Sequence, residues 1–473
     1  MKRSLVSIVT AALLGGCSLM PQDGPPPQAL PAQYSAGGSA PRSDLTEWWM
    51  HFGDPGLVAV IGRARDANPD LAAALARVAQ ARASLRAAGA PLLPSIDAGL
   101  GSTRSWVSGD TFGGEGFGGG GFGGFGGGFG RGGTQHQASV DVSWEVDLFG
   151  RIRSEAAAAG ARYVGSRHDR DALELATLAA VADGYVTATG LRERLAIARA
   201  NLLSNRQVLK IVEARLREGA TSRLEVAQQR TTVANVEASV AALEQQLRDA
   251  GNALAVLEGT VPDGAAGGAT SLAALTLPAI APGQPAELLA RRPDLARAEA
   301  ELRAANGDIG AARAALLPRL TLTGSGSFGI EPATTIGSLA AALAAPIFQG
   351  GRLAAEVERT RARREELVAD YRNAVLVATR EVEDALNAVA ASERRRAALD
   401  VAAREARDAT RLARERYLAG RIDFLTLLDT QTAQFAAEDA ALDARRAQFS
   451  AAIALYRALG GGWSVGADGA PQP

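Results

Sequence analysis

The sequence predicts a mainly α-helical chain with a smaller β part, built from two copies of one unit. Three observations carry that reading. Two stretches of 67 residues, Arg151–Arg217 and Arg352–Leu418, run with no Pro, and the second has no Gly either. Four shorter stretches alternate apolar and polar residues. Short motifs recur in the same order at fixed offsets.

The long stretches come first. Each opens after a Phe and a Gly-containing turn, Phe149-Gly150 and Phe348-Gln349-Gly350-Gly351, and closes at Gly219 or Gly420. As straight helix each is about 100 Å long. Leu195, Leu202, Leu209 and Leu216 recur every seven residues, with Ala198 and Val212 between them. Val226, Val233, Val240, Leu247 and Leu254 answer after the turn, with Val236, Leu243 and Leu257 between. The second copy shows Val368, Val375, Val382 and Val389, then Leu428, Phe435, Leu442, Phe449 and Tyr456. A sustained heptad packs helices knobs-into-holes. On this pattern alone an ordinary antiparallel coiled-coil hairpin is as good a reading as any larger assembly.

Composition excludes some classes. The chain has 473 residues, a net charge of −1, 47 % apolar and 21 % charged residues. No basic stripe points to nucleic acid, and past the N-terminus no apolar run is long enough for a membrane helix. Lys2 and Arg3 precede an apolar run over 5–14, which reads as a secretory signal peptide. Cys17, the single cysteine, ends Leu14-Gly15-Gly16-Cys17, which resembles a bacterial lipobox. Residues 1–16 are therefore expected to be a signal peptide, and 17–45 a lipid-anchored tether rich in Pro, Gly, Gln and Ser.

Trp48-Trp49 and Phe52-Gly53-Asp54-Pro55 open the folded body, and a helical segment follows to about Ala90. Asn68-Pro69-Asp70-Leu71 returns as Arg292-Pro293-Asp294-Leu295, and Leu92-Leu93-Pro94 as Leu316-Leu317-Pro318, both at an offset of 224 (293 − 69; 318 − 94). The long stretches repeat at 201 (352 − 151), so 23 extra residues lie between Pro94 and Arg151. The Gly- and Phe-rich tract over 108–133 houses them, a low-complexity loop without phosphate-loop context. Strands are expected beside it: 136–148 and 320–328 clearly, 96–106 more weakly, 339–347 most weakly. Alternation of this length suits both membrane-spanning and half-buried soluble strands. Four strands cannot close a barrel, and open edges cannot sit in lipid. If they span a membrane, several chains pool them, and three chains would supply twelve.

Chemistry is sparse. His51, His136 and His168 lack metal-ligand spacing. Gly462-Trp463-Ser464-Val465-Gly466 matches a nucleophile elbow, but it follows a helix rather than a strand. No catalytic residue, metal or cofactor is expected, and no enzyme.

These motifs, together with Arg291-Arg292-Pro293-Asp294-Leu295, Ala298-Glu299, Pro346-Ile347-Phe348, Gly350-Gly351-Arg352 and Leu459-Gly460-Gly461-Gly462-Trp463, resemble the TolC-like outer-membrane efflux factors, in particular their lipoprotein branch. The resemblance covers nearly everything from Cys17 to Trp463. It implies a homotrimer in which an α-barrel of long coiled-coil helices continues into a shared 12-stranded transmembrane β-barrel, four strands per chain. It also implies a first repeat over 46–259, an equatorial segment over 260–285, a second repeat over 286–463 and a tail over 464–473. The function implied is a passive exit duct in the outer membrane, fed by an inner-membrane pump through a periplasmic adaptor, with no nucleic acid involved. The tips at Gly219, Leu224, Gly420 and Leu425 would dock the adaptor. Leu425 and Asp429 would close the periplasmic gate as an apolar and an acidic ring. Where the family often has an Arg near this ring, the chain has Ile422 and Thr432. The alternative is a lipid-anchored periplasmic coiled-coil scaffold or adaptor that conducts nothing.

Overall fold

The computed structural model describes residues 19–22, 24–35, 45–104, 134–262, 269, 271–330 and 333–463. Its helices are α1 (Pro55–Ala67), α2 (Pro69–Gly89), α3 (Arg151–Arg217), α4 (Arg223–Leu257), α5 (Pro293–Ala314), α6 (Arg352–Leu418) and α7 (Phe424–Ala458). Its strands are β1 (Ser95–Arg104), β2 (Thr134–Val146), β3 (Arg319–Ile330) and β4 (Ala333–Ala344). Short helical turns occupy Trp48–Phe52 and 285–291. The order helix, two strands, long helix, return helix occurs twice. The signal peptide, Cys17, the Gly- and Phe-rich tract and the tail with Ser464 lie outside the described residues.

The chain divides into two compact units. The first comprises Met1–Asp23, Arg82–Ala161 and Arg303–Glu365. It holds the sheet, whose strands lie side by side in the order β1-β2-β3-β4, all antiparallel. Trp144 donates its indole N–H to Leu92 O at 3.1 Å. Asp147 accepts from the backbone N–H groups of Ile152 and Arg153, opening α3 where the strand ends. A β-carbon on Gly307 would come within 2.8 Å of Ala158 Cβ, so α5 and α3 touch backbone to backbone there. Arg313 donates to Leu19 O at 3.0 Å, pinning the N-terminal segment to the end of α5.

The second unit comprises Gly24–Ala81, Arg162–Leu302 and Glu366–Pro473. Its core is built around Trp48, which stacks on Tyr456 at 5.2 Å and meets Phe52 edge-on. Leu57 and Ile61 of α1, Val181 and Tyr185 of α3, and Ile453 of α7 close around them. Leu272 and Leu275, from the segment between the repeats, and Tyr34, from the N-terminal tether, join the same core.

The repeat persists atom by atom. Asn68 Nδ2 donates to Leu257 O, and Arg292 Nη1 donates to Ala458 O, so each repeat ties the start of one helix to the end of another. A β-carbon on Gly259 would lie 2.1 Å from Ala67 O, and one on Gly460 would lie 2.1 Å from Arg291 O. Only glycine admits that approach, and both sit at positive φ.

The long helices keep the bounds expected for them, because each runs between two Gly turns with nothing inside to break it. Along the seams Leu195, Ala198, Val212, Val226, Val233, Leu243, Val375, Val382, Leu442 and Phe449 are buried, while Leu202, Leu209, Leu216, Val368 and Phe435 are half-buried. The first helical segment differs from expectation. It breaks at Asn68, whose extended ψ of 123° is what a residue before proline adopts. Two strands also slide. β2 ends at Val146 because Asp147 turns to cap α3, and β4 ends at Ala344 ahead of Pro346, which has no N–H to give a ladder.

Candidate functional site

Two places in the fold lack an ordinary structural explanation: the turns that end the long helices, and the faces of the sheet. The turns are duplicates. Gly219 adopts φ +73°, its N–H reaches Leu216 O at 3.1 Å, and Ala220 N–H reaches Arg215 O at 2.8 Å. Gly420 adopts φ +69°, with Gly420 N–H to Tyr417 O at 3.0 Å and Arg421 N–H to Arg416 O at 2.8 Å. This paired closure satisfies the last carbonyls of a helix and needs a left-handed residue at its centre. Three residues on, Ser222 accepts from Glu225 N–H and starts α4, while Asp423 accepts from Thr426 N–H at 2.7 Å and starts α7. Hydrogen bonds from the Thr426 side chain and backbone hold the Asp423 carboxyl below its ordinary value.

The two turns are packed together. Val208, Val212 and Val226 of the first hairpin share one buried cluster with Ala413, Tyr417, Phe424 and Leu427 of the second. Tyr417 and Phe424 meet edge to face at 5.8 Å. The Arg215 guanidinium lies 4.7 Å from the centre of the Tyr417 ring, a cation–π contact from α3 to α6. Periodicity offers no means of pairing an Arg on one repeat with a Tyr on the other, so this contact was out of reach of the sequence.

The expected tip residues fall where chain turns meet solvent. Leu224 and Leu425 occupy the first turns of α4 and α7 and are 65 % and 54 % exposed, although both are leucines. Phe424 and Leu427 take the buried positions instead. Asp429 is exposed one turn beyond Leu425 and forms no ion pair or hydrogen bond among the described residues. Thr432 donates its hydroxyl back to Leu428 O. A second polar feature went unread. Gln229, fully buried, donates to the backbone and side-chain oxygens of Asn205 across the α3–α4 hairpin. Its place three residues after Val226 and four before Val233 put it in the seam, which was the available signal.

The sheet sorts most of its residues by face, with Ser102 and His136 a polar pair on the apolar side and Ile336 an apolar residue opposite Ser327 on the polar side. Register pairs on one face are Ile96↔Val142, Ala98↔Val140, Trp144↔Leu322, Val146↔Leu320 and Leu320↔Leu343. On the other face they are Ser95↔Ser143, Asp97↔Asp141, Ser139↔Ser327, Glu145↔Thr321 and Ser325↔Ser338. Leu100 and Leu339 stand out from the apolar face of the two edge strands, nine-tenths exposed. Among the described residues the outer edges of β1 and β4 are unpaired.

No helix among the described residues is long and apolar enough to cross a membrane. No group of three or more His, Cys, Asp or Glu among them could hold a metal ion. His51 lies 3.2 Å from the Tyr456 hydroxyl, and His168 packs edge-on against Trp463. Trp463 follows the Gly turn after α7, and its indole N–H reaches Asp171. That is not the strand that a nucleophile elbow at Ser464 requires.

Residues 60–260 and 285–461 match the model of the outer membrane efflux protein family. The pyoverdine export outer membrane protein OpmQ of Pseudomonas aeruginosa is 39 % identical over 474 residues, covering 99 % of this chain and 98 % of that protein. Outer membrane protein OprJ of the same organism is 33 % identical, covering 97 % of this chain and 96 % of that protein. Among solved structures, the outer-membrane channel OprN superposes with a TM-score of 0.82 at 27 % identity, covering 94 % of this chain and 99 % of that one. The Neisseria gonorrhoeae MtrE outer membrane channel superposes with a TM-score of 0.81 at 28 % identity, covering 94 % and 98 %.

Proposed function

The chain belongs to the outer membrane efflux protein family, and from that footing we propose that three copies pool their sheets into one twelve-stranded barrel through which cargo leaves the cell. It is the outer-membrane channel of a tripartite efflux system. The observation that carries the proposal is the sheet. Toward the helix end one face is apolar on all four strands, the other is mostly polar, and among the described residues both edges are open. In lipid every backbone group must be satisfied, so an open edge is tolerable only if another copy closes it. Four strands per chain and three chains give twelve, within the range of closed outer-membrane barrels. A conducting-free scaffold would have no use for an apolar sheet face with a polar back.

The remaining roles follow from that placement. The tips at Gly219, Leu224, Gly420 and Leu425 dock a periplasmic adaptor, which couples the duct to an inner-membrane pump. Leu425 and Asp429 close the periplasmic end as an apolar and an acidic ring. Cys17 carries lipid in the outer membrane, and the pinned Leu19 supports this by holding the N-terminal segment beside the sheet-bearing unit. The duct is passive and no catalytic residue is assigned to it. Outer-membrane fractions run with and without heating test the trimer. A band that falls from trimer to monomer on heating is expected, and a monomer in unheated soluble fractions would overturn the reading.

A further inference from the structure

All four places where a strand meets a helix lie at one end of the sheet, because Ser95 pairs with Ser143, Val146 with Leu320 and Arg319 with Ala344. Each of the four presents an apolar side chain to solvent. Leu93, Ile347 and Phe348 are 71 %, 92 % and 88 % exposed, and Phe149 and Leu316 are exposed as well. Each also has an arginine nearby in sequence, Arg86 nine residues before β1 (95 − 86), Arg151 five after β2 (151 − 146), Arg319 opening β3 and Arg352 eight after β4 (352 − 344). At the β2–α3 junction these arginines are neutralised, Arg151 by Glu145 and Glu155 and Arg153 by Asp147. At the two edge strands, as at Arg319 at the start of β3, no ion pair forms among the described residues, although the Arg352 charge is felt by Glu356 one turn on. Arg86, in the last turn of α2, is exposed and makes no hydrogen bond or ion pair among the described residues. Arg352, the first residue of α6, donates to the Gln349 side chain and makes no ion pair there.

We propose that this end of the sheet is a collar that binds anionic phospholipid, with the exposed leucine, isoleucine and phenylalanines among the acyl chains and Arg86 and Arg352 on headgroup phosphate. The proposal rests on the sheet spanning the membrane. One feature selects lipid over a second copy of the chain. Large apolar side chains exposed beside arginines are what a membrane–water boundary accommodates, since the rings and branches enter the acyl layer while the cation stays at headgroup level. The guanidinium fork matches a phosphate through two parallel hydrogen bonds and is less strongly hydrated than an ammonium. Each arginine near an anionic surface contributes about 1 kcal/mol, roughly a fivefold change in affinity.

The test uses the purified full-length channel and its Arg86→Gln/Arg352→Gln variant. Heat dissociation is followed in detergent with added phosphatidylglycerol, phosphatidylcholine or inorganic phosphate. Phosphatidylglycerol should raise the midpoint of the native protein while the other two do not. The concentration needed should rise roughly fivefold per arginine removed, with the lipid-free midpoint unchanged. An equal rise with phosphatidylcholine, or an unchanged response in the variant, overturns the collar. A full rise with inorganic phosphate alone reduces it to an anion site. A Phe348→Ser variant that loses its assembly in lipid-free detergent would show that a second copy covers the collar instead. Failure of the native chain to form a membrane-inserted assembly would count against the channel reading, which is a separate result.

Discussion

Arg215 and Tyr417 join the two turns that end the long helices. They are the contact by which α3 grips α6, and the ring is buried while the cation is half-exposed. Arg215→Ala should loosen the tip by about 1 kcal/mol, and Tyr417→Ala by about 3 kcal/mol or more. Both should raise single-channel conductance in planar bilayers; a wild-type conductance in Tyr417→Ala would show that the cluster does not hold the tip shut. The exposed pair behaves differently. Asp429→Ala should lower cation selectivity, and Leu425→Ala should raise conductance and sensitise cells to large antibiotics. Neither should cost the assembly, since Phe424 and Leu427 carry the packing there. Asp423 supplies a pH test. Its carboxyl is held below the ordinary 3.8, so the folded form resists protonation more than the unfolded one. That contribution is complete above this value and is lost as pH falls through the lowered one. Ser222 caps the first hairpin with nothing to titrate. Pepsin at falling pH should therefore cut at 419–424 before 218–223, and equal cutting would contradict it.

At the scale of elements, what the sequence made legible was whatever depends on neighbours along the chain. The bounds of α3 and α6 follow from long proline-free runs between Gly turns. The strand faces follow from a period of two, and near the helix end the register gathers like with like. What stayed hidden depends on partners far along the chain. Nothing in the spacing of Arg215 announces Tyr417, and nothing in 17–45 announces that Tyr34 enters the core of the second unit. Gln229 was half visible, a polar residue in an apolar seam. Gln229→Leu is expected to keep or raise hairpin stability while allowing the α3–α4 register to slip, which cysteine pairs across the seam would report. Gly420→Val faces a positive φ that a β-branched residue adopts only at a cost of about 1–2 kcal/mol. Its effect should be confined to the second tip, read by protease sensitivity there. Removal of 113–130, outside the described residues, should leave assembly and export nearly intact if the tract is an extracellular loop.

For the molecule as a whole, the account stands on copies of the chain closing one another's sheet. In the order β1-β2-β3-β4 the two edge strands of a single chain are separated by two others, so β1 and β4 can be neighbours only between copies. The native sequence has one cysteine, Cys17, which can be replaced by Ser. With Gly101→Cys on β1 and Ser338→Cys on β4, both on the polar face, a short bismaleimide should link chains in intact outer membranes. The account predicts covalent dimers and trimers and nothing larger, with each single-cysteine variant left unlinked. A product that stays monomeric, or a ladder that continues past three, would contradict it.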